Sequence, residues 1–568
     1  MFFRDIVQFT FFIVLLAALS PVVGRSISRV LAGERTCLHG LLGPLERGIY
    51  RLSGIQATRE QDWKGYAGSL LAFTAVGFAL TMGVLVFQDV LPLNPQGFGA
   101  LSWDLAFNTA ASFVTNTNWQ SYGGETTLSH FSQMVALTYQ NFVSAAVGIA
   151  VCTAIIRSLA RSQGQGLGNF WADVVRITLY ILLPLSMVFA LLLLGQGVVQ
   201  SFASGVSVTT LEGENQFLAL GPAASQVAIK LLGTNGGGFF NVNGAHPFEN
   251  PTALSNFMQA LSIFLLPSAL VFMLGEMVHN RRHAWTVWGV MAAVFITGVG
   301  LVYWAEYTGT PLLTHIAGGP VPNLEGKELR FGLFGTALFS TVTTDASCGA
   351  VNAMHASFTP LGTLVLLVNM LLGEVIFGGV GSGLYGMLLF ILLTVFIAGL
   401  MVGRTPDYLG KRIEGREITW GMVVLIMSAL PILCLSAWAA VSDWGQAATL
   451  NAGARGFTEI FYAYTSATQN NGSALAGFSA NTPIINVTLG LAMLVGRFGI
   501  MLSLLVMAGS LVSRKARPVS EFSFPVSGLT FGLLLLTVVL IIGALTYLPA
   551  LSLGPVVEHL QMLKGQLF

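Results

Sequence analysis

Apolar residues fall along the chain in ten runs long enough to cross a bilayer, at about 5–24, 66–90, 131–155, 174–197, 255–277, 283–304, 357–402, 419–440, 484–510 and 527–548. A spanning helix needs about 20 such residues, so the pattern predicts an all-α polytopic membrane protein. Only Arg4 precedes the first run, too thin a basic region for a secretion signal, so this run reads as a retained span. The seventh run is too long for one straight crossing. It contains Phe377-Gly-Gly-Val-Gly-Ser-Gly383, and Gly378, Gly379, Gly381 and Gly383 predict a break or kink there. Broken helix at membrane depth survives only where protein or a wet cavity satisfies its backbone.

Lys and Arg orient the runs. Segments 25–65, 156–177, 278–284, 403–418 and 511–524 hold 7, 3, 2, 4 and 3 of the 26. On the opposite side lie Arg4, Lys230, Lys327, Arg330, Arg455 and Lys564, while Arg497 falls inside a span. The basic side is expected to face the cytoplasm, which puts both termini outside. Composition agrees with a chain built for lipid: 54% of residues are hydrophobic and 9% charged, against about 25% charged in soluble domains. A net charge of +1 implies no nucleic-acid partner, and four scattered cysteines show neither metal-ligand spacing nor a disulfide framework.

Four outside segments share a pattern, a helix-like run followed by a small, polar tract. These are Thr115-Asn-Thr-Asn-Trp-Gln120, Gly233-Thr-Asn-Gly-Gly-Gly238, Thr344-Asp-Ala-Ser-Cys-Gly-Ala350 and Thr468-Gln-Asn-Asn-Gly-Ser473. Aligned on Asn118, Gly236, Gly349 and Gly472, they recur at intervals of 118, 113 and 123 residues. Near-constant spacing marks an internal repeat, here span, loop, span. The chain then divides into a first span with its cytoplasmic loop (1–60), four repeats (61–160, 161–280, 281–415, 416–515) and a final span with an external C-terminus (516–568).

A potassium ion must shed water to pass a narrow site, and rings of backbone carbonyls can replace that water. Four loops around a pseudo-fourfold axis would supply four carbonyls per layer, with a half-helix aiming its negative end at the ion. Candidate filter residues are Thr117, Asn118, Thr234, Asn235, Gly236, Cys348, Gly349, Asn470, Asn471 and Gly472. Single tracts of this kind are ordinary turns; four in register, each between two spans, argue for a filter. None carries the Thr-Val-Gly-Tyr-Gly run of potassium channels. A filter this short is expected to hold one tight site, suited to slow, coupled transport.

These tracts, together with His246-Pro-Phe-Glu-Asn-Pro251 and Gly403-Arg-Thr-Pro-Asp-Tyr-Leu-Gly410, resemble the potassium-binding subunit of the bacterial Kdp-type potassium-transporting ATPase. The resemblance runs end to end. It implies membership of a superfamily of potassium transporters built from four repeats around one filter. It further implies uptake of external potassium, passage through an intramembrane tunnel, and delivery to a P-type ATPase catalytic subunit. Two smaller subunits would complete a hetero-tetramer in the bacterial inner membrane, with potassium as cargo and no organic cofactor. The residues agree on one point independently: the chain contains no Walker tract and no Asp-Lys-Thr-Gly phosphorylation motif, so any nucleotide site belongs to another chain. The alternatives are a stand-alone potassium channel or symporter of the same superfamily, or a membrane scaffold that transports nothing.

Further residues bear on the pathway. Glu374 and Arg497 are ionisable within spans and by default functional candidates. Their comparable depths predict a pair below the filter, either structural or repelling cations. Gln120 is expected to brace the first loop or face the pore mouth. Asp345 either focuses the field or caps the turn that follows it. Arg404, where the seventh span meets the cytoplasm, is a snorkelling anchor or, with the glycine break, part of a gate. His279 and His283 read as solvated in a cytoplasmic turn.

Overall fold

The computed structural model describes residues 3–161, 166–373, 375–515 and 524–566. Among these, ten helices are long and apolar enough to cross a membrane: Phe3–Leu31, Trp63–Val86, Ser132–Ala160, Phe170–Gly195, Ala253–Met277, Arg281–Thr308, Ser382–Met401, Gly415–Val441, Pro483–Val512 and Leu529–Leu563. The third is the most enclosed. Its run Ala145-Ala-Val-Gly-Ile-Ala150 is small and apolar on every face, the signature of a helix packed on all sides. The first, second, eighth and tenth spans leave leucine, valine and isoleucine exposed on the perimeter, where lipid replaces protein. The only strands among the described residues form two short hairpins, Gly205–Thr209 with Asn215–Ala219 and Asp407–Tyr408 with Lys411–Arg412.

Four times the chain runs span, short helix, loop, span. The short helices are Trp103–Val114, Ala223–Leu232, Gly332–Asp345 and Gly453–Thr468, all nearly wholly buried. Span ends are fixed by side-chain caps. Thr252 and Ser255 form a capping box on the fifth span, and the Asp62 carboxylate accepts from the Gly65 amide on the second.

The seventh run is broken as its glycines predict. Helix Pro360–Leu371 ends, the chain turns through left-handed Gly373 (φ +80°), Phe377 (+46°) and Gly381 (+92°), and helix resumes at Ser382. Two glycines let this break touch the third span. A Cβ on Gly381 would lie 2.1 Å from the Gly148 carbonyl oxygen, and one on Gly148 would lie 2.3 Å from that of Val380.

One expectation fails here. His283 is fully buried: its Nε2 and Nδ1 lie 2.7 Å from the Tyr408 hydroxyl and 2.7 Å from the Val526 carbonyl. A carbonyl can only accept, so Nδ1 carries the proton and Nε2 accepts from tyrosine. The hairpin at Tyr408 folds over a position that sequence places in an open turn. His279 is exposed, as expected.

Candidate functional site

Each short helix ends in the same way. The residue after its last turn is left-handed: Asn116 (φ +67°), Thr234 (+48°), Ser347 (+48°) and Asn470 (+55°). The next amide then donates back to the carbonyl five residues earlier: Thr117 to Ser112 (2.9 Å), Asn235 to Lys230 (2.7 Å), Cys348 to Thr343 (2.9 Å) and Asn471 to Ser466 (2.8 Å). This is the six-to-one bond of a Schellman motif, usually built on glycine. Here four non-glycine residues hold it, and β-branched Thr234 sits in a conformation that costs about 1–2 kcal/mol. Asn118 (+54°), Gly236 (+91°) and Gly472 (+98°), two residues further on, are left-handed again.

The four tracts close into a ring in chain order. A Cβ on Gly236 would lie 2.1 Å from the Gly349 nitrogen, one on Gly349 2.6 Å from the Asn471 oxygen, and one on Gly472 2.0 Å from the Thr117 oxygen. The fourth contact is made by a side chain: Asn118 Nδ2 donates to the Gly236 carbonyl (3.1 Å) and to Asn141 Oδ1 (2.7 Å). Glycine therefore stands wherever one loop's backbone presses on the next. Asparagine stands where the first loop reaches the second through an amide.

Hydrogen bonds brace the ring from behind. Asn116 Nδ2 donates to the carbonyls of Gly233 (3.1 Å) and Thr234 (3.2 Å), and its Oδ1 accepts from Ser144 (2.7 Å) and Asn235 (2.5 Å). Asn470 Nδ2 donates to Thr117 Oγ1 (2.9 Å), Asn471 Nδ2 to the Thr343 carbonyl (3.0 Å), and Ser347 Oγ to the Gln469 carbonyl (2.5 Å). The Thr343 hydroxyl donates to the carbonyls of Cys348 and Ala350. Thr234 Oγ1 accepts from the Val380 amide (2.8 Å), which ties the second loop to the broken seventh span.

Sequence reasoning missed Lys230. It counts there among outside cations, yet it lies in helix Ala223–Leu232 with 1% exposure. Its ammonium pairs with Glu249 and donates to the Gly237 carbonyl (2.8 Å). Ser112 and Thr343 occupy the same place, six residues before the aligned position, and donate to Trp119 (2.9 Å) and Ala350 (2.6 Å). Extending the aligned tracts six residues back exposes the signal, a lysine in register with hydroxyls. Lys327, paired with Glu306 at 2.8 Å, and Arg455, paired with Glu558 at 3.0 Å, are also buried ion pairs and not surface charges.

Gln120 clamps the second loop: its Nε2 donates to the Gly238 carbonyl (3.0 Å) and its Oε1 accepts from the Gly238 amide (2.9 Å). Asp345 is the last residue of its helix, buried, and neither carboxylate oxygen has a hydrogen-bond partner among the described residues. It therefore does not cap the turn that follows it among the described residues. Arg404 is exposed beyond the seventh span. Arg497 is buried in a wide turn at Val495–Gly499, and its Nη2 would lie 3.0 Å from a Cβ on Gly148. It lines a small cavity with Ser382, Tyr385, Thr468, Asn470 and Tyr547, so it stands between the fourth loop and the broken span. Glu374, its expected partner, lies outside the described residues. On the opposite side of the ring all four loops line an open vestibule of about 540 Å³.

Fold and site together define a multi-pass membrane protein built from four span, short-helix, loop, span repeats whose loops meet in one ring. The potassium transporter TrkH from Vibrio parahaemolyticus has the same fold, with a TM-score of 0.52, 16% identity, and coverage of 89% of this chain and 98% of that one. Residues 10–560 match the family described as potassium-transporting ATPase A subunit. The potassium-transporting ATPase potassium-binding subunit of Nitratidesulfovibrio vulgaris is 68% identical over 99% of both chains. That of Methylobacterium nodulans is 54% identical over 99% of this chain and 98% of its own. The chain belongs to this family: it is a multi-pass membrane protein, the potassium-binding subunit of a potassium-transporting ATPase.

Proposed function

We propose that the four-loop ring is the selectivity filter through which external potassium is bound and then delivered to the ATP-hydrolysing subunit. The observation that supports this best is the closed ring itself. Backbone approaches backbone from loop to loop around it, and in this reading carbonyls of the filter residues Thr117, Asn118, Thr234, Asn235, Gly236, Cys348, Gly349, Asn470, Asn471 and Gly472 face the ion. Those carbonyls replace the ion's water, and four helix C-termini add partial negative charge. One short layer makes one tight site. The ion enters from the vestibule, passes the fourth loop, and reaches the cavity beside Arg497 and the glycine break at residues 378–383. Arg404 acts with the break at the cytoplasmic end.

In this reading the chain is non-catalytic and holds no organic cofactor. It works in a hetero-tetramer with a P-type ATPase subunit and two smaller subunits. The basic loops face the cytoplasm across the inner membrane, with both termini outside. Binding of radioactive rubidium to the assembled complex tests the filter. Gly472→Ala should abolish binding while leaving assembly intact; binding at parental affinity would sink the proposal. Potassium-stimulated ATP hydrolysis in Glu374→Gln and Arg497→Met tests the coupling role, and full activity in both would remove it.

A further inference from the structure

The helix His39–Ser53 joins the first two spans on the side that carries the basic loops, and its polarity is reversed. Its buried face is polar. Glu46 accepts from the Tyr180 hydroxyl (2.7 Å), the Tyr50 hydroxyl (2.8 Å) and Arg176 Nε (3.1 Å). Burial opposes that charge, but these three bonds outweigh it and hold the carboxyl below its usual range. The opposite face carries Leu41, Leu45 and Leu52, which are 78%, 50% and 90% exposed. They recur at i, i+4 and i+11 and so form one stripe. Arg47 and Arg51 flank it.

Arg176 and Tyr180 belong to the first three turns of the fourth span, so their bonds to Glu46 hold the helix against the N-terminal end of that span. A 270 Å³ cleft lies between this helix and the fourth span, lined by Gly33, His39, Arg47, Tyr50, Arg176 and Tyr180. A Cβ on left-handed Gly33 would lie 3.3 Å from both Nη atoms of Arg176. Nε is spent on Glu46, while neither Nη has a hydrogen bond to a described residue.

We propose that His39–Ser53 is an in-plane helix whose leucine stripe is covered by acyl chains, and that Arg47 and Arg176 take the phosphodiester of an anionic phospholipid in the cleft. The charge of the segment fits that ligand: residues 25–65 hold seven basic and four acidic side chains. Helices of this composition lie about 5–10 Å into the headgroup boundary, and each arginine near an anionic surface is worth about fivefold in binding.

The test uses the assembled complex in vesicles, with exposed Cys37 and Cys434 changed to serine and a fluorophore on Leu45→Cys. Potassium-stimulated ATP hydrolysis by this background shows that it is folded. Doxyl-labelled phosphatidylglycerol should quench the fluorophore more strongly than doxyl-labelled phosphatidylcholine. Arg47→Gln should weaken that preference about fivefold, and Arg47→Gln with Arg176→Gln should remove it, while quenching itself persists. Inorganic phosphate should leave the preference unchanged. Quenching by aqueous iodide alone would overturn the proposal. So would equal quenching by the two lipids, displacement by free phosphate, or a cross-link from position 45 to another subunit.

Discussion

At the aligned position the second, third and fourth loops carry glycine, and the first carries Asn118. The glycines mark places where a methyl group would strike the next loop's backbone. At the remaining junction the backbone approach is looser, 3.0 Å from a Cβ on Gly237 to the Asn118 oxygen, and the first loop adds an amide bridge that also fastens it to Asn141 of the third span. Backbone contact fixes geometry without adjustable parts, whereas an amide bridge can be lengthened, lost or replaced. The fourfold ring therefore has three rigid joints and one tunable joint. The second loop is unusual in another way, because a lysine braces it where serine or threonine serves its neighbours.

The largest expected effect comes from that brace. Lys230→Met leaves Glu249 buried without its partner, at a cost of about 3–5 kcal/mol. Thermal unfolding of the complex should shift sharply downward and potassium affinity should fall with it. Lys230→Ser combined with Glu249→Gln, which imitates the other loops, should recover much of the stability. Failure to recover would mean that the pair does more than brace.

Gly236→Ala comes next. The methyl group meets the Gly349 nitrogen, and the left-handed backbone adds strain, so apparent affinity for potassium should drop by about 100-fold or more. Asn118→Gly removes two hydrogen bonds of about 1 kcal/mol each. A loss of about thirtyfold, with the larger share in discrimination between potassium and rubidium, would mark the first joint as the tunable one. If Asn118→Gly were as damaging as Gly236→Ala, the contrast between the joints would collapse. Gln120→Ala gives up two part-exposed bonds to Gly238 and should cost only a few-fold in affinity, near the lower end of the usual range per bond. A null result there would show that the first loop needs no second tether.

Much of this architecture is legible in the sequence because its signals are one-dimensional. The ten spans are runs of apolar residues, the break is a glycine cluster, and the loop register is a spacing. What escapes is whatever depends on two distant positions meeting. Lys230 and Glu249 are separated by a loop, His283 is sealed by a hairpin that begins over a hundred residues later, and Arg455 of the last repeat finds Glu558 beyond it, at the end of the final span. A charge read alone looks like a surface group; only its partner shows that it is buried. The alternation of left-handed residues was also hidden, since asparagine, threonine and serine occupy places where sequence rules look for glycine.

The contact between Gly148 and the break at Val380–Gly381 has a consequence for mutational drift. Each glycine's missing side chain is the space its counterpart's backbone occupies, so neither position can accept a methyl group while the other strand stays where it is. The two sites, far apart in the gene, are exposed to selection as though they were one codon. A single-position mutational scan should record both as intolerant, and pairing the two substitutions should bring no rescue, because the space is shared and not exchanged.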